Sequence, residues 1–328
     1  METQGKNISR VIFHNEPKLS EHEVQSKFNE RRIALVPIIK DFVSTHPKLR
    51  DKEVGITFAQ KGVSSLVCII ETIEEKFILK IRLRTSNNNL DESQFLKVWE
   101  KTGVKVPHVF EEGILNGHAY TLMEYIDAPI LSDVYKNKEL LEKGIYFDLG
   151  SILRKMHEPK GEGYGRIIDG KTEFANFEDW IESEDMQKRF QYVNENMLLG
   201  EEHGSLSIAI QILIKHVNGE NKSSYCHFDF GTSNMFATQP ITIFDPNPEF
   251  NNPYLDLGRS IVIRIAHDGV FPQQLVDGYF KGEPYNEKAL QASILINSYQ
   301  KFNYWNKTKA LKLIKNIQDY LLQNKLSI

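Results

Sequence analysis

The sequence predicts an α+β fold with two lobes, a small one built on an antiparallel sheet and a larger one that is mainly helical. Short runs of alternating apolar residues, separated by turn signals, fill residues 54–125 and are typical of antiparallel strands. Apolar residues at helical spacing dominate after that, for example over 145–156. A chain of 328 residues has room for two lobes or for one large domain with a deep cleft. In the two-lobed division that we predict, the first lobe spans 1–126 and the second 127–328.

The composition excludes several classes of protein. A net charge of −4 and a pI near 6.2 give no basic surface for nucleic acid. The polar start lacks the apolar core of a signal peptide, and no apolar run approaches the length of a membrane span. Cys68 and Cys226 are too few for a disulfide framework. We therefore expect a soluble, cytoplasmic protein without nucleic-acid or membrane partners, and the composition leaves its oligomeric state open.

Residues 1–50 form an extra segment ahead of the predicted sheet. Residues 1–19 show no regular pattern, and we expect them to be loosely attached. A capping-box pattern at Ser20 then opens an amphipathic helix that contains Phe28, and Pro37 kinks or ends it. We interpret this helix as a packing element without chemistry.

The first predicted hairpin joins strands at 54–59 and 66–70 through a turn of small residues. Gly62, Ser64 and Ser65 lie in this turn, where backbone N–H groups and two hydroxyls can donate hydrogen bonds to the phosphates of a nucleotide. The turn matches neither the Walker A motif nor a complete G-x-G-x-x-G motif, so an ordinary hairpin is the alternative interpretation.

A lysine stands in the middle of the next predicted strand, at 76–83. Lys80 shares one face of this strand with Ile78 and Arg82, among apolar neighbours. Its ammonium group therefore needs either an anionic partner, such as a phosphate, or a route to solvent at a sheet edge. The following strands flank Asn116-Gly117, a strong signal for a hairpin turn.

The stretch 225–236 carries the main chemical signal. Asp229 and Asn234 lie in a loop, and Asp245 follows the apolar run 241–244, so a hairpin return would bring these three side chains together. Oxygen ligands of this kind suit Mg²⁺. The spacing H-x-D-x-x-x-x-N followed by an aspartate is typical of a phosphoryl-transfer loop, although these residues can also simply stabilise a turn.

The motif from His227 to Asn234 resembles the catalytic loop of the aminoglycoside phosphotransferases, small-molecule kinases that share the protein-kinase architecture. Its Asp-Phe-Gly-x-x-Asn sequence is most similar to that of the hygromycin B phosphotransferases. The resemblance implies a protein-kinase-like fold, and Mg²⁺-dependent transfer of the γ-phosphoryl group of ATP or GTP to a hydroxyl of an aminoglycoside-like or other small acceptor. Antibiotic resistance is a role that this family carries.

The resemblance also implies a role for each residue of the loop. Asp229 would be the catalytic base, and Asn234 and Asp245 would hold Mg²⁺. His227 would support the loop from within, and Asp256, in a segment similar to the family's Pro-x-x-Asp-Leu-Ala, would brace it.

The same resemblance assigns the nucleotide contacts in the first lobe. Lys80 would bind the α- and β-phosphates, with Glu92 or alternatively Asp91 as its carboxylate partner, and Gly62, Ser64 and Ser65 would cover the phosphates. Met123 would lie behind the purine. The backbone of Glu124 and Ile126 would hydrogen-bond the edge of the base.

An acidic stretch at 173–185 offers a second hypothesis. Glu178, Asp179 and Glu182 around Trp180 suit a cationic polyol substrate, but we favour the alternative, the exposed face of an amphipathic helix, because runs of surface charge are common. Two other functions remain open. The chain could be a nucleotide sensor without turnover or, less readily, a protein kinase, because 246–252 is short for a peptide-docking segment.

Overall fold

The structure is a computed structural model, and it describes residues 10–19, 23–60, 62, 64–85, 91–168, 170–197, 203–220, 222–268 and 272–302. It combines sheets and helices, so the predicted α+β class is confirmed. The chain divides into two compact units. The first contains the described residues up to Lys97 together with Pro107–Asp127, and the second contains Val98–Val106 and the described residues from Ala128 onward.

The first unit is built on a six-stranded sheet with the strand order β1-β2-β3-β4-β6-β5. The strands are β1 (Arg10–Phe13), β2 (Glu53–Phe58), β3 (Ser65–Glu71), β4 (Lys76–Arg82), β5 (Val109–Leu115) and β6 (His118–Glu124). The pairing is antiparallel except between β1 and β2. Alternate residues such as Ile56, Leu79 and Leu122 are buried in one core, as the two-residue period of a strand requires.

The expectation that residues 1–19 are loosely attached is wrong for the described part of that segment. Strand β1 pairs in parallel with β2, and Phe13 stacks on Phe58 with ring centroids 5.6 Å apart. The side-chain amide of Asn15 then continues the ladder, because its Oδ1 accepts from Phe58 N at 2.7 Å and its Nδ2 donates to Phe58 O at 2.9 Å. The segment therefore forms an edge of the sheet.

Three helices accompany this sheet: α1 (Glu23–Ala34), α2 (Val36–Thr45) and α3 (Asp91–Lys101). Pro37 lies in the first turn of α2, where a missing N–H breaks no helical hydrogen bond, so the predicted interruption separates two helices. Ile39, Phe42 and Val43 form the buried face of α2 within the same core as the strands.

The second unit is mainly helical. Its helices are α4 (Leu131–Val134), α5 (Asn137–Glu142), α6 (Ile145–Met156), α7 (Phe177–Ile181), α8 (Glu184–Met197), α9 (His203–Glu220), α10 (Pro253–Asp268), α11 (Gln273–Phe280) and α12 (Glu287–Phe302). A five-stranded sheet has the order β7-β10-β13-β8-β9, and β11 pairs with β12. These strands are β7 (Lys160–Gly161), β8 (Tyr164–Ile168), β9 (Lys171–Phe174), β10 (Ser223–Cys226), β11 (Met235–Phe236), β12 (Thr242–Ile243) and β13 (Glu249–Asn251).

Helices α6 and α11 approach each other closely because each presents a glycine at the contact. A Cβ at Gly150 would collide with the carbonyl oxygen of Leu275, and a Cβ at Gly278 would collide with that of Phe147. This contact fixes the end of α6 and the end of α11, both of which supply side chains to the site described below. Within the described residues, no helix has the length and apolar character needed to cross a membrane.

Candidate active site

The first unit contains a buried ion pair. Lys80 lies in β4 and Glu92 in the first turn of α3, and both are less than a tenth exposed. The Lys80 Nζ atom is 2.7 Å from both carboxylate oxygens of Glu92, and Arg82 Nη2 lies 3.4 Å from Oε2. Glu92 thus makes the contact with the lysine, while the side chain of Asp91 lies outside the described residues. The carboxylate of Glu92 fixes the position of the Lys80 ammonium group. An ammonium group held in this way can bind an anionic ligand as well.

The described residues of the turn between β2 and β3 include hydrogen-bond donors that have no partner among them. Gly62 has a φ of +92°, and the space that a Cβ would occupy there is open. Within the described part of the chain, no hydrogen bond forms from the N–H of Gly62 or Ser64. The hydroxyl of Ser65 is buried and has no partner among the described residues. Unpaired donors in a turn are the groups that bind anions such as phosphate.

The end of β6 is the segment in which the sequence predicts a contact with a purine. Met123 is buried and pairs with Ile78. The N–H of Glu124 donates to His108 O at 2.8 Å, so this donor is already used. In the described chain, the backbone of Ile126 makes no hydrogen bond and keeps both a donor and an acceptor for a ligand.

In the second unit, Asp229 and Asn234 lie together in the loop that follows β10. The Asn234 Nδ2 group donates to Asp229 Oδ2 at 2.8 Å and to Asp229 O at 2.9 Å. This contact fixes the carboxylate and leaves Oδ1 of each side chain without a partner among the described residues. Phe228 just before the aspartate has a φ of +52°, a costly conformation for a bulky residue and one that is common at functional sites.

Asp245 lies next to this pair in the hairpin formed by β11 and β12. The register joins Met235 to Ile243, and Phe244 N donates to Asn234 O at 3.0 Å. The exposed Asp245 therefore directly follows the residue that faces Asn234. The resulting donor set consists of carboxylate and amide oxygens, the ligands that Mg²⁺ prefers.

A buried carboxylate holds the loop after β10 by its backbone. Asp256, fully buried in the first turn of α10, accepts from His227 N at 2.5 Å and from Phe228 N at 2.8 Å. His157 at the end of α6 lies with Nε2 3.0 Å from the same carboxylate and Nδ1 2.8 Å from the hydroxyl of Tyr279. Burial raises the pKa of Asp256, but these hydrogen bonds and the charge of His157 outweigh it, so the pKa lies below its ordinary value.

The ring of His227 contacts both the loop that contains Asp229 and the strand end that precedes Asp245. Its Nδ1 accepts from Asp229 N at 3.2 Å, and its Nε2 lies 3.2 Å from Phe244 O. These partners assign the neutral ring with the proton on Nε2. Burial lowers the pKa of His227, which is consistent with the neutral form, and the ring stacks on Trp99 with centroids 5.7 Å apart. The histidine thus connects Asp229 to the residue that precedes Asp245.

The acidic stretch predicted to contact substrate forms the short helix α7. Trp180 is only 6% exposed and packs against Phe177 with ring centroids 5.5 Å apart, so it offers no open aromatic face to a sugar ring. The carboxylate of Asp179 accepts from Asn176, the N-cap of the helix, and Glu178 accepts from Asn218. Glu182 is exposed and caps the C-terminal end. These contacts favour the structural interpretation of this stretch.

Sequence reasoning missed two contributors. Tyr279 stands on an apolar helix face and carries no motif, so only its contact with His157 reveals its place in the network. Arg32 lies in a helix interpreted as a packing element, yet it contacts the turn between β2 and β3. Neither position had a local signal, because both contacts join segments far apart in the chain.

Comparisons with known proteins found a family match and a related sequence. The sequence model of the phosphotransferase enzyme family matches residues 55–289. Over 231 residues the chain is 24% identical to a probable ketoamine kinase of Staphylococcus aureus (strain NCTC 8325 / PS 47), and the alignment covers 66% of this chain and 74% of the relative.

Two solved structures are similar in fold. A thermostable mutant of aminoglycoside phosphotransferase APH(4)-Ia, in a ternary complex with AMP-PNP and hygromycin B, has a TM-score of 0.59 at 14% identity, with 84% of this chain and 98% of the other covered. A choline/ethanolamine kinase family protein from Mesorhizobium loti has a TM-score of 0.59 at 17% identity, with 89% and 96% covered. The predicted protein-kinase-like fold and the resemblance to these phosphotransferases are thereby confirmed.

Proposed function

Because the chain belongs to the phosphotransferase enzyme family, we propose that it is a small-molecule kinase that transfers the γ-phosphoryl group of ATP to a hydroxyl of a sugar-derived amine. One observation carries this proposal. The Asp229 carboxylate is held by Asn234 through Oδ2, and Oδ1 remains available to a hydroxyl group. A fixed carboxylate beside an amide oxygen and a second carboxylate is the arrangement that phosphoryl transfer requires.

Asp229 acts on the acceptor. Its free oxygen accepts a hydrogen bond from the acceptor hydroxyl and takes the proton as the hydroxyl oxygen forms its bond to the γ-phosphorus. The bond between that phosphorus and the β,γ-bridging oxygen breaks, and ADP leaves with the electron pair. Positioned proton transfer of this kind contributes roughly 10²–10⁴-fold to rate.

The nucleotide contacts belong to the first unit. Lys80, oriented by Glu92, binds the α- and β-phosphates as a point charge. The N–H groups of Gly62 and Ser64, which have no partner in the described part of the chain, donate to phosphate oxygens, and the backbone of Ile126 hydrogen-bonds the base. The APH(4)-Ia complex contains AMP-PNP, which supports ATP as donor, and GTP is the alternative.

Asn234 and Asp245 fit a magnesium ion. The amide oxygen of Asn234 has no hydrogen-bond partner among the described residues, and the register brings the exposed carboxylate of Asp245 next to it. A bound Mg²⁺ would neutralise charge that builds on the transferred phosphoryl group. The role of Asn234 Nδ2 is independent of the ion, because it fixes the carboxylate of Asp229.

The acceptor class rests on the relatives. The Staphylococcus aureus protein is named a ketoamine kinase, and the APH(4)-Ia complex contains hygromycin B. Both names indicate molecules with amino and hydroxyl groups on a sugar-derived skeleton, so we propose a ketoamine as the first acceptor to test and an aminoglycoside as the second. Choline and ethanolamine complete the panel because of the third relative.

The test is acceptor-dependent release of ADP from Mg-ATP by the wild type, Asp229→Asn and a control, Asp133→Asn, at an exposed position in α4. We expect turnover with a ketoamine or aminoglycoside that falls by about 10²-fold or more in Asp229→Asn and is unchanged in the control. EDTA should abolish it.

Each alternative result has a distinct meaning. Tight binding of Mg-ATP without turnover on any acceptor would favour the nucleotide sensor. Equal turnover by wild type and Asp229→Asn would remove the aspartate from the mechanism. Failure of the wild type to bind any nucleotide would contradict the proposed function altogether.

A further inference from the structure

Arg32 is a fully buried arginine in α1 whose hydrogen-bond partners among the described residues are all backbone carbonyl groups. Its Nη1 donates to Gly62 O and Ser65 O, its Nη2 to Ala59 O and its Nε to Pro17 O, over distances of 2.5 to 3.3 Å. Within the described residues, no carboxylate contacts the guanidinium group. Among the described residues, the positive charge of this side chain is therefore balanced by carbonyl dipoles and not by a carboxylate.

Three of the four carbonyls that Arg32 binds belong to one structural unit, the turn between β2 and β3, and the fourth, Pro17 O, lies between β1 and α1. Ala59 begins the turn directly after β2, Gly62 lies in the middle of the turn, and Ser65 is the first residue of β3. One rigid guanidinium fork thus holds the start, the middle and the end of the turn. A lysine could not do the same, because its single ammonium group cannot reach three carbonyls spread along the turn.

The hydrogen bonds to Arg32 use carbonyl groups of this turn and do not engage the N–H groups of its described residues Gly62 and Ser64. No N–H of Gly62 or Ser64 has a partner among the described residues. Burial lowers the pKa of Arg32 from its ordinary value, but an arginine remains protonated at neutral pH. The charge and the available donors both favour an anionic ligand at the turn.

We propose that Arg32 is a positioning residue for the nucleotide phosphates, one that holds the β2–β3 turn in the phosphate-binding conformation and adds positive potential to it. The inference rests on the proposed function. It goes beyond the family match, since that match begins at residue 55 and Arg32 lies in the segment ahead of it.

A positioning role and a structural role of Arg32 predict different effects on the binding of two ligands, a nucleotide with phosphates and adenosine without them. If Arg32 acts on the phosphates, its loss weakens binding of nucleotides and leaves binding of adenosine unchanged. If Arg32 only stabilises the fold, its loss weakens both ligands in the same proportion or neither. The ratio of the two dissociation constants therefore separates the roles.

The experiment measures the binding of Mg-AMP-PNP and of adenosine by titration calorimetry to the wild type, Arg32→Gln, Arg32→Lys and Arg31→Gln. Arg31 is an exposed neighbour on the same helix and serves as the matched control. Thermal melts establish that each variant is folded at the assay temperature. We expect Arg32→Gln to weaken AMP-PNP binding about tenfold with adenosine binding within twofold of wild type and with Arg31→Gln unchanged.

The lysine variant keeps the test decisive if Arg32→Gln does not fold. Arg32→Lys retains the charge and loses the fork, and we expect a loss of AMP-PNP affinity of about threefold. An unchanged ratio of the two dissociation constants in the folded Arg32 variants would overturn this inference alone. Failure of the wild type to bind AMP-PNP would overturn the proposed function and this inference with it.

Discussion

The turn between β2 and β3 and the loop after β10 are both held by a buried charge on a neighbouring helix, but the two charges have opposite signs. Arg32 binds the carbonyl groups of the turn, and Asp256 binds the N–H groups of the loop. Among the described residues, the N–H groups of Gly62 and Ser64 in the turn have no partner, and in the loop the side-chain Oδ1 atoms of Asp229 and Asn234 have none. The sign of the buried charge thus sets which backbone groups it binds, carbonyl groups in the turn and N–H groups in the loop.

The two charges also differ in how they are balanced. Asp256 receives three donors, one of which is the ring of His157, and it lies within the residues that match the family. Arg32 is balanced by carbonyl dipoles alone within the described chain and lies outside that match. A charge held by dipoles retains more of its field, so the comparison predicts that Arg32 affects binding while Asp256 mainly affects stability.

The largest effect on stability should come from removing the buried carboxylate of Asp256. Asp256→Leu leaves two backbone N–H groups and the His157 ring without an acceptor in a buried place, and we expect it to lower the free energy of unfolding by about 3–5 kcal/mol. Tyr279→Phe removes only the outer hydrogen bond of the network and should cost about 1 kcal/mol. Urea unfolding checks both values. A loss of less than 1 kcal/mol in Asp256→Leu would show that the loop does not depend on this carboxylate.

A pH effect of intermediate size should arise in the same loop. Burial holds the pKa of His227 below its ordinary value of about 6.5, so the unfolded chain takes up a proton at a higher pH than the folded protein does. Stability contributed by the neutral ring is therefore complete above about pH 6.5 and falls below it, by up to about 1.4 kcal/mol per pH unit. The lowered pKa of Asp256 acts only in more acidic solution, as pH falls below about 3.9.

The check is urea unfolding at pH 7.5, 6.5 and 5.5 (about 1 unit apart, across the ordinary histidine pKa) for the wild type, His227→Gln and His108→Gln. His108 is exposed and serves as the control. The wild type and the control should lose stability on acidification, and His227→Gln should lose less. Identical pH dependence in all three proteins would exclude His227 as the source.

The smallest effect tests the turn itself. Gly62 and Gly282 have φ angles of +92° and +79°, and a Cβ at either position meets no atom within 4 Å. Alanine at either site should therefore cost about 1 kcal/mol through backbone strain alone. Only Gly62→Ala should also weaken AMP-PNP binding, because Gly62 lies in the proposed phosphate-binding turn and Gly282 has no proposed contact with the nucleotide. Equal nucleotide affinity in both variants would argue against a phosphate contact at the turn.

The sequence was sufficient for the fold class and the family, because strand alternation, helical spacing and the spacing of Asp229, Asn234 and Asp245 are local patterns. It was insufficient where a contact joins distant segments. Strand β1 is only four residues long and is fixed by pairing with β2 some forty positions later. Arg32 looks like a surface residue of an amphipathic helix until the turn that covers it is present.

The acidic stretch around Trp180, which the sequence offered as a substrate contact, shows again that a local pattern does not reveal which side chains a residue packs against. An aromatic residue among carboxylates is a pattern shared by sugar sites and by N-capped helices, and only the contact with Phe177 distinguishes them. The residue roles drawn from the family resemblance remain predictions. Their tests are the variants described above.

Strand β1 has a further consequence, for self-association. It covers the edge of β2, and Asn15 covers Phe58 at the end of that edge. A chain shortened to the family-matched residues would lose this cover and expose the edge of β2, a row of unpaired backbone groups that can template the strand of another molecule. We expect such a chain to aggregate or exchange strands, so expression trials of the catalytic region should retain the residues from Arg10 onward.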